Sequence, residues 1–174
     1  MIRLHKAIVV LWTFGITSLA LFSTSCSNDD APSQEEKINT MLKEVRKVTS
    51  SMRTMESAKK MGWNHALSEC VEHPTEGGMG HHIAKKEYMD GRLNHKEPQV
   101  LLFASNSNSE ELELVGVEYI VPFSVLPSTA TAPELYFQKF HKNEEQEIWA
   151  LHVWTELENP KGTFYDWNPK VSCP

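Results

Sequence analysis

Hydrophobic positions along the chain fall into three regimes. Ala7 to Phe22 is an apolar run of about 16 residues, interrupted only by small hydroxyl side chains. Further on, Ile38, Met41, Leu42, Val45, Val48, Met52 and Met55 recur at three- and four-residue steps, the stripe of an amphipathic helix. Lys43, Glu44, Arg46, Lys47 and Arg53 take the opposite face, and Ser33 with Glu36 forms an S-x-x-E capping box. The spacing predicts a helix over 34–60 that stops near Gly62, then a shorter helical turn over 63–69. His73 to Gly80 carries three glycines and predicts a loop. Beyond it the period becomes that of strands: 98–104, 112–121 and 148–157, with a polar loop over 105–111 and a proline-containing connection after Val121. Asn159 to Gly162 reads as a turn, and Phe164, Tyr165 and Trp167 as aromatics laid over the sheet. The expected fold is α+β, a long N-terminal amphipathic helix followed by a small, mainly antiparallel sheet, in one domain over 33–174.

The first apolar run changes the picture of where that domain resides. It is short for a membrane span, which needs about 20 residues. Arg3, His5 and Lys6 precede it and the small residues Ser23, Thr24 and Ser25 follow, so residues 1–25 read as a signal peptide. Cys26 comes next, and the arrangement resembles the lipobox of bacterial lipoproteins. That resemblance implies a diacylglycerol on the Cys26 thiol, cleavage before it and acylation of the new amine. Ser23 stands where the lipobox prefers an aliphatic residue, and Leu21 lies two positions further upstream. Residues 26–32 then form a lipid-anchored linker. Ser27-Asn28-Asp29-Asp30 is similar to the surface-export tag of some Gram-negative lipoproteins. The implied address is the cell envelope, anchored to the outer membrane, and the implied partner is the membrane itself; the tag would turn the domain outward, and a plain solvated linker accounts for the same residues.

Charge and cysteine count narrow the classes further. The formal charge is −6; loss of Arg3 and Lys6 makes the chain more acidic still, which argues against nucleic acid as a partner. With Cys26 lipidated, Cys70 and Cys173 remain in an oxidising compartment. They predict a disulfide; the rival is a Cys/His metal site, which would lack any close C-x-x-C pairing.

Chemistry is concentrated on two predicted strands. Strict alternation puts Leu112, Leu114, Gly116, Glu118 and Ile120 on one face, and Ile148, Ala150, His152 and Trp154 on another. Glu118 and His152 are each ionisable residues on apolar faces, where a charge is costly without a partner. If the strands pair, the two meet. His81 and His82, carried by the glycine-rich segment, supply an imidazole, of which one at most points inward. Two histidines and a carboxylate suit Zn or Fe, and Met79 beside them is a weaker indication of Cu. An inert hydrogen-bonded Glu–His pair accounts for the same pattern. His65, His73, His95 and His141 read as surface or loop residues. No G-x-S-x-G elbow, P-loop or dinucleotide fingerprint is present in the sequence.

Gly78-Met79-Gly80-His81-His82, Val117-Glu118-Tyr119, Leu151-His152-Val153-Trp154 and Asn159-Pro160-x-Gly162-x-Phe164-x-x-Trp167-Asn168-Pro169-x-Val171-Ser172-Cys173 together resemble a family of uncharacterised secreted bacterial proteins. The resemblance spans Cys70 to Cys173 and departs at Ile83, where an aromatic is expected. It implies that His82, Glu118 and His152 belong to shared blocks, and it brings no activity. The leading expectation is a lipid-anchored, non-catalytic binding domain with a buried polar pocket around Glu118 and His152. The alternative is a metal-binding protein or metal-dependent enzyme using His82, Glu118 and His152.

Overall fold

The computed structural model of this chain describes residues 31–106 and 109–173, and those from Pro32 onward belong to one unit. The expected signal peptide over 1–25, Cys26 and the expected linker up to Asp30 lie outside the described residues. Helix α1 (Gln34–Thr49) starts where the capping box places it. The Ser33 hydroxyl accepts from Glu36 N–H, and the Glu36 carboxylate accepts from Ser33 N–H, which satisfies two otherwise orphaned amides.

The expected α+β fold with a long N-terminal helix is overturned: the architecture is mainly antiparallel β, a half-barrel of six strands. The stripe over 34–60 divides into α1 and a short α2 (Met55–Lys60). The break lies in a run of hydroxyl residues. Thr49 and Ser50 donate their hydroxyls back to the Val45 and Lys47 carbonyls, offering the backbone an alternative to further helical turns. The chain then extends to the sheet, where the Arg53 carbonyl accepts from Leu114 N–H and Thr54 bridges Glu113. Thr54 and Ser57 form a second capping box that opens α2. Met52 is still fully buried through this turn, so the apolar spacing fits a broken helix as well as a continuous one.

The sheet runs in the order β1-β2-β3-β4-β8-β7, all neighbours antiparallel. Its strands are β1 (His65–His73), β2 (Gly77–Ala84), β3 (Val100–Asn106), β4 (Ser109–Pro122), β7 (His141–Asn143) and β8 (Ile148–Val153). A separate two-residue hairpin joins β5 (Glu134–Leu135) to β6 (Gln138–Lys139). β1 replaces the helical turn expected over 63–69, and β2 takes up the second half of the expected glycine loop, from Gly77 to Gly80. β1 carries register shifts between Ala66 and Ser68 and between Ser68 and Val71, which erase the period-two signal in its sequence. β3 and β4 also extend into the segment expected as a loop over 105–111.

The glycines of β2 serve close approach rather than a loop. A Cβ on Gly77 would lie 2.2 Å from the Asn168 carbonyl oxygen, and one on Gly80 2.5 Å from that of Phe103. The C-terminal tail therefore lies directly on β2: Gly78 N–H donates to the Asn168 and Val171 carbonyls, and Gly78 accepts from Asn168 N–H. Cys70 and Cys173 form a disulfide across 103 residues, with Cα atoms 5.6 Å apart, which fastens that tail to β1 and removes the Cys/His metal alternative.

A register shift in β4, between the partners of Leu102 and Phe103, corrects the expected faces. It leaves Leu112 and Leu114 on the same side as Val117, Tyr119 and Val121, packed with Leu42, Val45 and Met52 under the helices. Val115 and Ile120 lie on the other side with Val100, Leu102, Ala150 and Trp154. Glu118 shares that second face, away from the helices and under the tail. No helix among the described residues is long and apolar enough to cross a membrane.

Candidate metal centre

β4 and β8 are paired so that Glu118 stands directly opposite His152, the closest side-chain relation a sheet offers. Two strands away on the same face, β2 contributes His82, which is paired with Ser68 on β1 and Leu102 on β3. All three side chains are buried: His82 is 7% exposed, Glu118 4% and His152 2%. His82 Nε2 lies 3.4 Å from His152 Nε2, and one Glu118 oxygen faces each ring, at 3.8 Å from His82 and 3.6 Å from His152. His81 points the other way and meets the Glu69 carboxylate at 3.3 Å; it does not join the cluster. Met79 lines the cleft beside the cluster.

The outer nitrogen of each ring has its own partner. Ser68 Oγ is 2.9 Å from His82 Nδ1, and Asp166 Oδ1 is 3.1 Å from His152 Nδ1. Such outer contacts fix the tautomer of a histidine and turn its inner lone pair toward an ion. His141, expected as an ordinary surface residue, is instead on β7 opposite Ala150, on the same face as His152, and reaches Asp166 Oδ1 at 3.3 Å. Neither Asp166 nor Ser68 stood out in the sequence. Ser68 sits on the strand whose register shifts destroy its pattern, and Asp166 lies in a tail held by side-chain and turn contacts, without a period. The one available signal was its place between Tyr165 and Trp167 in an aromatic run.

Burial and charge set the protonation of these groups in opposite directions. Burial pushes the His82 imidazole down, and the attraction of Glu118 offsets this only in part. Burial also acts against a charged His152, but Glu118 and the hydrogen bond to Asp166 outweigh it and hold its pKa above the usual histidine value. Burial would raise Asp166, yet its hydrogen bond to His152 and the charges of His152 and His141 bring it below the usual carboxylate value.

The three inner groups form the floor of a cleft of about 410 Å³, whose walls include Ser68, Val71, Met79, Ile148 and Trp167. One side of the cluster is thus closed by the sheet and the other opens to a space large enough for a small ligand. A floor of two imidazoles and one carboxylate, with room above it, can hold a transition-metal ion that keeps coordination positions for water or an incoming molecule. Comparison with protein-family models, with curated proteins and with solved structures returns no match.

Proposed function

We propose that this protein binds a divalent transition-metal ion, Zn(II) or Fe(II), through His82, Glu118 and His152, and presents it to the cleft. One observation carries the reading. Buried groups that are simply hydrogen-bonded to one another draw in to about 2.7–3.2 Å. Here the inner atoms stand 3.4, 3.6 and 3.8 Å apart despite their burial. Two ligands held at about 2.05 Å around a tetrahedral ion are separated by roughly 3.4 Å, which is the spacing of the two Nε2 atoms. The outer contacts to Ser68 and Asp166 add the support that metal-bound histidines ordinarily have.

The test is the metal content of the purified full-length chain after exposure to zinc or iron and desalting. One tightly held equivalent at this site is expected for the wild type, and at least a tenfold weaker affinity for Glu118→Gln, which keeps the shape and removes the charge. A wild type that holds no metal under either condition defeats the proposal. A polar pocket that binds its ligand without an ion is the second reading, favoured by the same Ser68 and Asp166 contacts, which satisfy the outer nitrogens whether or not a metal is present.

The site is proposed to work outside the cytoplasm, lipid-anchored to the outer membrane through Cys26. The basic start, the short apolar run and the small residues before Cys26 support this address. Two or more acyl chains give stable anchoring where one gives only marginal binding. Expressed in a bacterium, the wild type should therefore fractionate with membranes and Cys26→Ala with the soluble fraction. Equal membrane retention of both would count against lipidation.

A further inference from the structure

We infer that the protein carries a second metal position, built from His141, Asp166 and the Nδ1 of His152, and joined to the first through the His152 ring. The inference rests on the proposed first ion, because the shared ring must face one ion with each nitrogen.

The outer group, like the inner one, brings two imidazoles and a carboxylate together. Asp166 Oδ1 lies 3.1 Å from His152 Nδ1 and 3.3 Å from His141 Nδ1. Ligand atoms of the three residues all fall within 4.8 Å of one another. The 3.3 Å separation is that of neighbouring ligands at roughly 2.0–2.1 Å from one ion, while the 3.1 Å contact is the His152–Asp166 hydrogen bond that a second ion would replace. The His141 and His152 rings are parallel, with centroids 6.1 Å apart. Exposure distinguishes the two positions. The His141 and Asp166 side chains are 37% and 32% exposed, against 2% for His152, so an outer ion would be reached from solvent and complete its shell with water.

His152 is the only described residue common to both groups. The two nitrogens of an imidazole point away from each other, which would place two ions about 6 Å apart across the ring, given metal–nitrogen bonds near 2.0–2.1 Å. The chemistry balances without any redox change. With one ion on Nε2, Nδ1 keeps its proton and donates it to Asp166. When a second divalent ion arrives, that proton leaves to solvent, the ring becomes an imidazolate, and a metal–Nδ1 bond replaces the N–H···O bond. The first ion makes this loss easier, since a bound cation acidifies the groups it touches. Asp166 thus has two successive roles, orienting His152 when one ion is bound and ligating when two are. Glu118, Asp166 and the imidazolate provide three negative charges against the four positive charges of two ions. Cu(II) in the open outer position beside Zn(II) or Cu(II) in the inner one suits this donor set, since imidazole accommodates either metal.

Copper is the probe that reads both the count and the bridge. The full-length chain is loaded with excess Cu(II), desalted, and examined by elemental analysis and electron paramagnetic resonance. The expected wild type holds two equivalents with a strongly attenuated signal, because an imidazolate couples two Cu(II) spins. His141→Ala, and the better size match His141→Gln, should hold one equivalent with a full, uncoupled signal. One equivalent in the wild type overturns the second position and leaves the first intact; none overturns both. Two equivalents without coupling overturn the shared ring, and two equivalents retained in both His141 variants overturn the ligand assignment.

Discussion

Zinc should raise the thermal midpoint of the full-length chain by about 10 °C when present at a hundredfold excess over its dissociation constant, and His152→Ala should abolish that rise. A ligand that binds only the folded state at this excess contributes about 2.7 kcal/mol, and a domain of this size shifts by roughly 3–4 °C per kcal/mol. His152 is the right residue to remove because it touches every other member of the group: His82 at 3.4 Å, Glu118 at 3.6 Å and Asp166 at 3.1 Å. It is also buried, so its loss will change the midpoint of the metal-free protein. The informative quantity is therefore the difference with and without zinc for each chain, measured by calorimetry. A wild type whose midpoint ignores zinc, or a variant that shows the same rise, would contradict the assignment.

How tightly the ion is held, and so how much zinc that excess requires, follows from how the fold treats the three residues. Glu118 and His152 are held by ladder hydrogen bonds of adjacent strands, and His82 by those of β2 between β1 and β3. Their backbones have little freedom left to lose when an ion arrives. A site assembled from mobile loops would have to order them first and would bind the ion less tightly. Burial adds to this. In the absence of an ion, Glu118 and two imidazoles are brought together with almost no exposure, a costly arrangement unless the charges are compensated.

The legible part of the site was the part carried on regular strands. An isolated carboxylate in Val117-Glu118-Tyr119 and an isolated imidazole in Leu151-His152-Val153 break apolar runs, and such interruptions survive any register. Which neighbours share their face did not survive, because the shift in β4 moves Leu112 and Leu114 to the other side. His82 was legible through the glycines before it, of which Gly77 and Gly78 admit the tail against β2 and Gly80 the backbone of β3. His141 was hidden by the length of its strand, three residues that cannot display a period. Asp166 was hidden because its segment forms no strand and is held by contacts such as Trp154 Nε1–H to the Tyr165 carbonyl and Asn159 Nδ2–H to the Trp167 carbonyl. The helix was misjudged for a different reason. An apolar spacing of three and four reports which side chains are buried, and Met52 is buried on either side of a break; the hydroxyls at Thr49 and Ser50 carried the information about where the helix ends.

The tail that hid Asp166 is also the part of the molecule most dependent on a covalent bond. The double substitution Cys70→Ala/Cys173→Ala should cost about 4–5 kcal/mol by freeing a loop of roughly 100 residues in the unfolded chain. That is a large share of the 5–15 kcal/mol that ordinarily holds a domain together, and chemical unfolding without reductant would measure it. A loss well under 2 kcal/mol would mean that the unfolded chain gains little freedom from losing the link. Metal affinity should respond as well, for a separate and local reason. Cys173 lies seven residues beyond Asp166, and between them the Asn168 and Val171 carbonyls accept from Gly78 N–H on β2. Freed at its end, the tail holds Asp166 against His152 less firmly, and a lost outer partner typically weakens a metal site by about 10–100-fold. The two readouts separate the two causes: an effect confined to the unfolded state lowers stability and leaves the zinc affinity of the folded protein unchanged. A fall in both would show that the disulfide also positions Asp166, so that reduction of a bond at the edge of the sheet would reach the metal through the tail.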